Sequence, residues 1–391
     1  MKSTCQLLLA TALALLAGCG GSPGSASPRS LRDATPSYAA LSMDQAGTLD
    51  TAPAALEVAS SPLTIQGTGC EPHLFLRARE VVRRVNRHLY KALRHVEDVL
   101  SRTPGVDTAA SRTWEATNAD GVRVRFTVTE LGPSRYAWTL ELRPVGEKEF
   151  LTVLSGEIDR TGASGAHEGK GSLDIDFARL HQAYPADPAR QGTLHLDFET
   201  GPSARRLAVT SSDLTWDVED DLGLGAAAVL ALEAPRSDAY LYFREPGLGG
   251  SLQVDEQEIF TCPANPDLAL ASAHLVTRWY RASSGEVQGR TDGSATGGQL
   301  RSPVESLAGV TCHAAAAEDV VAGESFWLWK AEDASGATAT GDSSEDLGGA
   351  PASDCDAAFG PVPVLADSGE DFSVDPAYGP GGAPYPFPGM R

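Results

Sequence analysis

The sequence predicts a mainly β protein in which an open antiparallel meander, a half-barrel or a curved sheet, is covered by one long N-terminal helix. Helical spacing occurs over 72–102, and nine or ten short segments that alternate apolar and polar residues follow it, separated by turn-forming residues. Because each alternating segment has one polar side, the sheet has a single buried face. The helix is the obvious element to cover that face.

The helix is predicted where apolar residues recur at alternating steps of four and three, which places them on one side of a helix. These residues are Ala78, Val82, Val85, Leu89, Ala92, Val96 and Val99. Pro104 ends the helix, because proline cannot continue it. A basic stripe flanks the apolar one and comprises Arg79, Arg83, Arg87, Lys91 and Arg94. It is interpreted as a solvated face, with an anionic partner, lipid headgroups and a coiled-coil arm as alternatives.

The strands are predicted where the spacing of apolar residues changes from 3.6 to 2. Apolar and polar residues alternate over 122–129, and the turn 118–121 joins this strand to another over 113–117. Strands at 136–143 and 150–158 come next. The remaining strands are centred on Leu173, Ile175 and Phe177; Leu194, Leu196 and Phe198; Leu207 and Val209; Leu214, Trp216 and Val218; Leu241 and Phe243; and Leu252 and Val254.

Changes in composition divide the chain into five parts. Residues 1–18 are predicted to be a signal peptide, and 19–69 a flexible tether rich in Ser, Gly, Pro, Ala and Thr, with a loose part of the domain as the alternative. Residues 70–261 hold the helix and the main β domain. A small β extension follows at 262–347, and the sequence leaves open whether it folds separately. Residues 348–391 are predicted to be a disordered acidic tail, because they are rich in Gly and Pro.

The charge of the chain limits its partners. The 391 residues carry a formal net charge of −21, and the fifteen acidic and two basic residues of 305–391 account for most of that excess. An acidic chain repels phosphate backbones, so nucleic acid is not an expected partner. The acidic tail is interpreted as solvated chain, with calcium capture or docking onto a basic surface as alternatives.

The most specific motif lies at the N-terminus. After a basic start, residues 7–17 are almost entirely apolar, which is typical of the core of a signal peptide and shorter than the about 20 residues of a membrane-spanning helix. They end in Leu16-Ala17-Gly18-Cys19, which resembles the lipobox of bacterial lipoproteins. The resemblance implies diacylglycerol on the sulfur of Cys19, cleavage after Gly18 and acylation, for example by palmitate, of the new amino terminus.

Such an anchor would decide the location of the protein. Three acyl chains exceed the two signals that stable membrane attachment requires. Because Gly20 rather than Asp follows the cysteine, the resemblance implies transport to the outer membrane of a Gram-negative envelope. The alternative is an ordinary signal peptide with a chance cysteine at Cys19. Whether the anchored protein faces inward or outward is left open.

Four further cysteines, Cys70, Cys262, Cys312 and Cys355, remain after Cys5 leaves with the signal peptide. An even number in an oxidising compartment predicts two disulfides. Three pairings are open, of which Cys262 with Cys312 and Cys70 with Cys355 is weakly favoured. A catalytic thiol is not expected, because only Cys312 has an adjacent imidazole, that of His313, and adjacent side chains of a strand point to opposite faces. A zinc site is not expected either, because no paired Cys or His spacing occurs.

The sequence offers no motif from which a catalytic residue, a metal ligand or a cofactor is predicted. The nearest approaches to a hydrolase and to a metalloprotease motif, at 162–166 and 167–171, each fail at a required position. His88 and His95 are two helical turns apart, about 10 Å, which is too far to share one metal ion. They are interpreted as surface or partly packed residues.

Two groups of acidic residues are also not predicted to form a functional site. Asp174 and Asp176 share the polar side of a strand. They are therefore interpreted as solvent-facing residues rather than as a carboxylate pair for acid–base chemistry. The acidic residues of 217–221 suggest a calcium loop, but Leu222 occupies the position of the essential glycine. A weak, irregular calcium site is the alternative there.

Three functions are compatible with these observations. We expect a non-enzymatic envelope module, bound to the membrane through its lipid anchor, that binds an envelope protein or a polysaccharide or serves as a scaffold. The alternative is a carrier of an apolar ligand, a lipid or an acylated protein, in a half-barrel pocket; the predicted architecture is similar to the open half-barrels of some envelope lipoproteins and lipoprotein carriers, a similarity that does not fix function. A secreted hydrolase is the least favoured.

Overall fold

The structure, a computed structural model, describes residues 28–43, 74–108, 110–185, 191–215, 235–245, 248–259, 270–281, 287–296, 304–315, 324–333 and 338–345. The helices in these ranges are α1 (Pro28–Asp33), α2 (Tyr38–Leu41), α3 (Leu74–Leu100) and α4 (Phe177–Ala183). The strands are β1 (Val106–Asp107), β2 (Ser111–Thr117), β3 (Arg123–Gly132), β4 (Arg135–Arg143), β5 (Leu151–Asp159), β6 (Gly169–Asp176), β7 (Thr193–Thr200), β8 (Arg205–Ser212), β9 (Ala239–Glu245), β10 (Gly249–Ile259), β11 (Leu270–Arg281), β12 (Val287–Thr296), β13 (Val304–Ala315), β14 (Glu324–Asp333) and β15 (Thr338–Glu345).

All of these strands belong to one antiparallel sheet, in which each strand pairs with its neighbours in the chain. The order runs from β1 at one edge to β15 at the other, and the sheet is not closed. The prediction of a mainly β protein built on an antiparallel meander is therefore confirmed. Consecutive antiparallel strands need only short turns between them, which is why the local alternation in the sequence predicts this topology well.

The buried face of the sheet follows the alternation that the sequence shows. In β3, Val124, Phe126 and Val128 are buried, whereas Arg125 and Thr127 between them are partly exposed. Successive side chains of a strand point to opposite faces, so one face of the sheet joins the core and the other meets solvent. We call these the inner and the outer face.

The boundary predicted near residue 262 does not interrupt the sheet. β10 and β11 pair continuously from Gly249 opposite Tyr280 to Ile259 opposite Leu270. The strands of the predicted β extension therefore continue the main sheet.

Helix α3 lies on the inner face. Val85, Leu89, Leu93 and Val96 of this helix are fully buried in the same apolar cluster as residues of the strands. The helix contacts β2 and β3 as well as β10 to β13, so it reaches both halves of the sheet. No helix among the residues described is both long enough and apolar enough to cross a membrane.

Residues 28–43 depart from the predicted tether. They form α1 and α2, and Leu31, Ala34, Leu41 and Met43 are buried in the main core cluster. Their composition resembles that of a linker, but their burial comes from contacts with parts of the chain that lie far away in sequence. We call residues 28–43 the docked segment.

A second difference concerns the end of β6. Phe177 is predicted to be a strand residue, but it begins α4 instead. Asp176 caps this helix, and its side chain accepts a hydrogen bond of 2.9 Å from the backbone N–H of Arg179. An aspartate at this position satisfies a backbone donor that the first helical turn leaves open.

Candidate functional site

The docked segment is held by hydrogen bonds as well as by apolar contacts. The indole nitrogen of Trp138 donates to the carbonyl of Ala34 at 2.7 Å. Asn86 of α3 accepts a hydrogen bond from the backbone N–H of Met43 at 2.7 Å, and donates one to the carbonyl of the same residue at 2.6 Å. These donors and acceptors are buried, so leaving one of them without its partner would cost about 1–3 kcal/mol.

Two more contacts show where this segment crosses the sheet. The backbone N–H of His167, in the β5–β6 loop, donates to the carbonyl of Asp33 at 2.7 Å. Arg205, at the start of β8, donates to the carbonyl of Ser42 at 2.6 Å. In a meander the β3–β4, β5–β6 and β7–β8 turns share one end of the sheet. The docked segment therefore lies across this end, which we call the β3–β4 end.

The position of the docked segment limits the distance between Cys19 and the body of the protein. Cys19 lies outside the described residues, and Pro28 is the first residue of α1. Pro28 is nine positions after Cys19, which corresponds to about 30 Å of fully extended chain. The sequence alone predicts a tether that continues to residue 69.

On the outer face, charged side chains pair between strands. Arg125 of β3 donates two hydrogen bonds to Glu141 of β4, at 2.7 and 2.9 Å. Other exposed or half-exposed pairs are Lys170 with Glu199, Arg206 with Glu199, and Arg135 with Glu157. Exposed pairs of this kind contribute little to stability, typically about 0–1 kcal/mol.

Asp174 and Asp176 have different surroundings, although the sequence places them on the same side of a strand. Asp174 is exposed on the outer face, as expected, and accepts a hydrogen bond of 2.7 Å from Nδ1 of His195 on β7. Asp176 caps α4. Each carboxylate therefore has a hydrogen-bond partner of its own, His195 for Asp174 and the first turn of α4 for Asp176.

His195 lies between two carboxylates. Its Nε2 is 3.4 Å from Oδ2 of Asp197, and its Nδ1 faces Asp174. The hydrogen bond to Asp197, together with that to Asp174, raises the pKa of His195 to about 9 against the opposing effect of burial. At neutral pH the imidazole is therefore a cation within an ion-paired group of three side chains.

A second ionic cluster is buried between α3 and the sheet. Arg84 of α3 donates to Oε2 of Glu256 on β10 at 2.7 Å, and the hydroxyl of Tyr240 lies 3.4 Å from the same oxygen. Arg236 and Asp238 lie 3.9 Å apart nearby. Burial lowers the pKa of Arg236 and raises that of Tyr240, in each case because it disfavours the charged form. This cluster joins the helix to the strands.

Two arginines lie against the ring of Phe150 on the outer face, and a third is next to one of them across the strands. The guanidinium of Arg125 lies 3.8 Å from the centroid of the Phe150 ring, and that of Arg143 lies 5.2 Å from it. Arg123 is directly opposite Arg143 in the pairing of β3 with β4. We call Arg123, Arg125 and Arg143 the arginine cluster. The sequence alone does not reveal this cluster, because only the strand register places residues that are twenty positions apart next to each other.

The two helix histidines are more buried than the sequence suggests. His88 is fully buried, with Nδ1 2.9 Å from the carbonyl of Arg84, and its ring meets Phe177 edge to face. His95 stacks on Tyr184 with the ring centroids 5.0 Å apart. The histidines pack against α4 or the segment just after it rather than facing solvent.

Of the cysteines, only Cys312 lies among the described residues, in β13 opposite Arg290 and Phe326. Cys19, Cys70, Cys262 and Cys355 lie outside them, as do the acidic residues of 217–221. The lipid anchor and the two disulfides therefore stay predictions. Within the described ranges, no group of three or more His, Cys, Asp or Glu residues is arranged to hold a metal ion.

Comparison of the chain with protein families, curated proteins and solved structures finds no match.

Proposed function

We propose that this protein is a bacterial envelope lipoprotein, anchored in the outer membrane through Cys19, whose β body is a non-enzymatic binding or structural module held close to the bilayer. The observation that carries this proposal is the docked segment. Because it begins nine residues after the lipobox cysteine, it leaves about 30 Å of chain between the acyl chains and the body. An anchor so close to the fold would restrict the orientation of the body.

The proposed orientation places the β3–β4 end towards the membrane, since the docked segment lies across this end. Leu131 near the end of β3 and Leu248 between β9 and β10 are exposed there, by 53% and 44%. Val145, at the opposite end, is exposed by 69%, so the orientation rests on the docked segment and not on the exposed apolar side chains. The opposite end, with the arginine cluster, would then point away from the anchor.

We also infer the finer architecture, an open half-barrel around α3. A helix of 27 residues is about 40 Å long, whereas a flat sheet would separate β2 from β13 by about 53 Å. The helix nevertheless contacts both strands, so a sheet that curves around it accounts for these contacts.

A module that binds or supports is favoured over an enzyme by the way the charged groups are used. The acidic and basic side chains of the outer face largely neutralise one another in pairs, as Arg125 and Glu141 do. Those of the inner face, such as Arg84 and Glu256, link α3 to the sheet. Acid–base catalysis requires a side chain that can exchange a proton with a substrate. A side chain that is held in one of these ion pairs does not meet this requirement.

No observation within the described ranges favours the alternative, a carrier of an apolar ligand. The inner face, where an acyl chain would bind, packs against α3 and the docked segment. Leu89, Leu93 and Leu41 contribute fully buried side chains to this interior. A carrier would have to displace part of it to bind a ligand.

The anchor is tested by growing cells with labelled palmitate and comparing the protein with its Cys19→Ala variant. We expect label and membrane association in the parent, and loss of both in the variant. Cys5→Ala is the matched control, because Cys5 leaves with the predicted signal peptide, and this variant should be labelled like the parent. Equal labelling of the parent and Cys19→Ala, or no label in either, would contradict the proposal.

A further inference from the structure

The pairing of Arg123 with Arg143 is unusual for a stable sheet. The two residues are directly opposite on adjacent strands, and both lie on the outer face. Like charges in this arrangement destabilise a sheet. The protein has an excess of acidic residues, so the juxtaposition of two arginines is not a consequence of its overall composition.

The members of the arginine cluster differ in their partners. Glu141 binds Arg125 through two hydrogen bonds, and Glu115 pairs with Arg123. Arg143 forms no ion pair with any residue that the structure describes, and its guanidinium rests against Phe150. An arginine held by an aromatic ring while its N–H donors stay available is suited to bind an oxyanion in two-point fashion.

A row of hydroxyl groups continues along the same face. Thr113, Thr127, Thr139 and Ser155 are in register across β2, β3, β4 and β5, and each is partly exposed. The hydroxyls of Thr113 and Thr127 are 3.2 Å apart. The Arg125–Glu141 pair lies between this row and the two opposed arginines. The surface therefore offers hydroxyl, carboxylate and guanidinium groups side by side.

We propose that this surface binds an acidic polysaccharide, with a carboxylate of a uronic acid unit between Arg143 and Arg123 and sugar hydroxyls along the row of threonines. This inference rests on the binding role in the proposed function, and it adds the class of ligand. A carboxylate at this position would reduce the repulsion between the two arginines. The hydroxyl row supplies both donors and acceptors, which is what a chain of sugar hydroxyls requires.

A protein partner is less suited to the same surface. The centre of a protein interface is apolar and rich in aromatic side chains. The exposed large apolar side chains of the described residues, Tyr90, Val106, Leu131, Val145 and Leu248, are all outside the hydroxyl row. Of these residues, Val145 is the nearest in sequence to the arginine cluster, in the loop after Arg143.

The test is calorimetric titration of the full-length protein in detergent with hexagalacturonate, at about 0.15 M salt, where distant charges are screened. We expect binding of hexagalacturonate and none of a neutral glucose hexamer. Arg143→Gln and, separately, Arg123→Gln should each weaken binding about tenfold or more, because a charge-assisted hydrogen bond is lost. Arg135→Gln is the matched control, since it removes the same charge from the other end of β4 and should leave the affinity unchanged.

Several results would overturn the inference: no binding of hexagalacturonate, equal binding of the neutral hexamer, equal loss in Arg135→Gln, or binding of polyglutamate as tight as that of hexagalacturonate. The last would point to an acidic protein instead. Circular dichroism of each variant shows whether it is folded, and the two arginine variants test the site independently. If palmitate labelling succeeds while hexagalacturonate does not bind, only this inference fails; if binding is seen without label, only the anchor fails.

Discussion

The side-chain amide of Asn86 pairs with the backbone of Met43, accepting from its N–H at 2.7 Å and donating to its carbonyl at 2.6 Å. The two residues are 43 positions apart, and both are buried. One amide thus satisfies both polar groups of a buried peptide unit and joins α3 to the docked segment. This contact makes part of an apparent linker belong to the folded body.

Replacing Asn86 with alanine leaves the N–H and the carbonyl of Met43 buried without these partners. Because two buried groups each lose a partner, we expect a loss of at least about 2 kcal/mol in the free energy of unfolding, measured by urea denaturation. Arg94→Ala is the control, because Arg94 is exposed on the same helix, and it should change stability by less than about 0.5 kcal/mol. Equal stability of Asn86→Ala and the parent would show that the docked segment does not depend on this contact.

Shortening the chain tests the docked segment as a whole. Removing residues 20–27 should leave the thermal midpoint unchanged, whereas removing 20–43 should lower it sharply. The longer deletion exposes core surface that Leu31, Leu41 and Met43 cover, and each such side chain contributes about 1.5–3 kcal/mol when buried. Identical midpoints for the two shortened proteins would support a tether that continues to residue 69.

The docked segment also shows what the sequence could and could not predict. In β3, apolar residues recur at every second position, so the local pattern predicts both the strand and its buried face. Residues 28–43 have no such period. Leu31 and Leu41 are buried only because elements that are distant in sequence provide a place for them, and composition carries no signal of that arrangement.

The group formed by His195, Asp174 and Asp197 should make stability depend on pH. The pKa of His195 is raised from 6.5 to about 9, so the folded state holds this proton more tightly than the unfolded state. The stabilisation is therefore complete below about pH 6.5 and is lost as the pH rises through about 9. The stability difference between the parent and His195→Gln should shrink over that range.

Nuclear magnetic resonance of the imidazole measures the same effect directly. We expect His195 to titrate near pH 9, and Asp197→Asn to move its pKa down towards 6.5, because the hydrogen bond to Asp197 is the largest cause of the shift. A midpoint near 6.5 in the parent would contradict the ion-paired geometry.

The pair formed by Arg84 and Glu256 is buried, and breaking it should be costly. Glu256→Gln removes the negative charge that compensates Arg84, and such losses in protein interiors destabilise by about 3–5 kcal/mol. The control is Glu157→Gln, since Glu157 pairs with Arg135 at the surface at 3.5 Å and should contribute about 0–1 kcal/mol. Similar losses in both variants, measured by urea denaturation, would mean that the buried pair does not link α3 to the sheet.

The candidate site depends on register more than on motif. The sequence predicts that Asp174 faces solvent, but it does not predict that His195 is its partner, because the pairing of β6 with β7 brings the two residues together. The same holds for Arg123 and Arg143 in β3 and β4. Alternation tells which face a residue occupies, whereas the identity of its neighbour across the sheet depends on how the turns set the strands against each other.

Acyl chains on Cys19 are proposed to hold the folded body close to a membrane. Mass spectrometry of the N-terminal peptide from protein purified from cell envelopes tests this proposal most directly. We predict a peptide that begins at Cys19 and carries a diacylglyceryl group on the sulfur and an acyl chain on the amino nitrogen. A peptide that still contains Gly18 before an unmodified Cys19 would contradict the account.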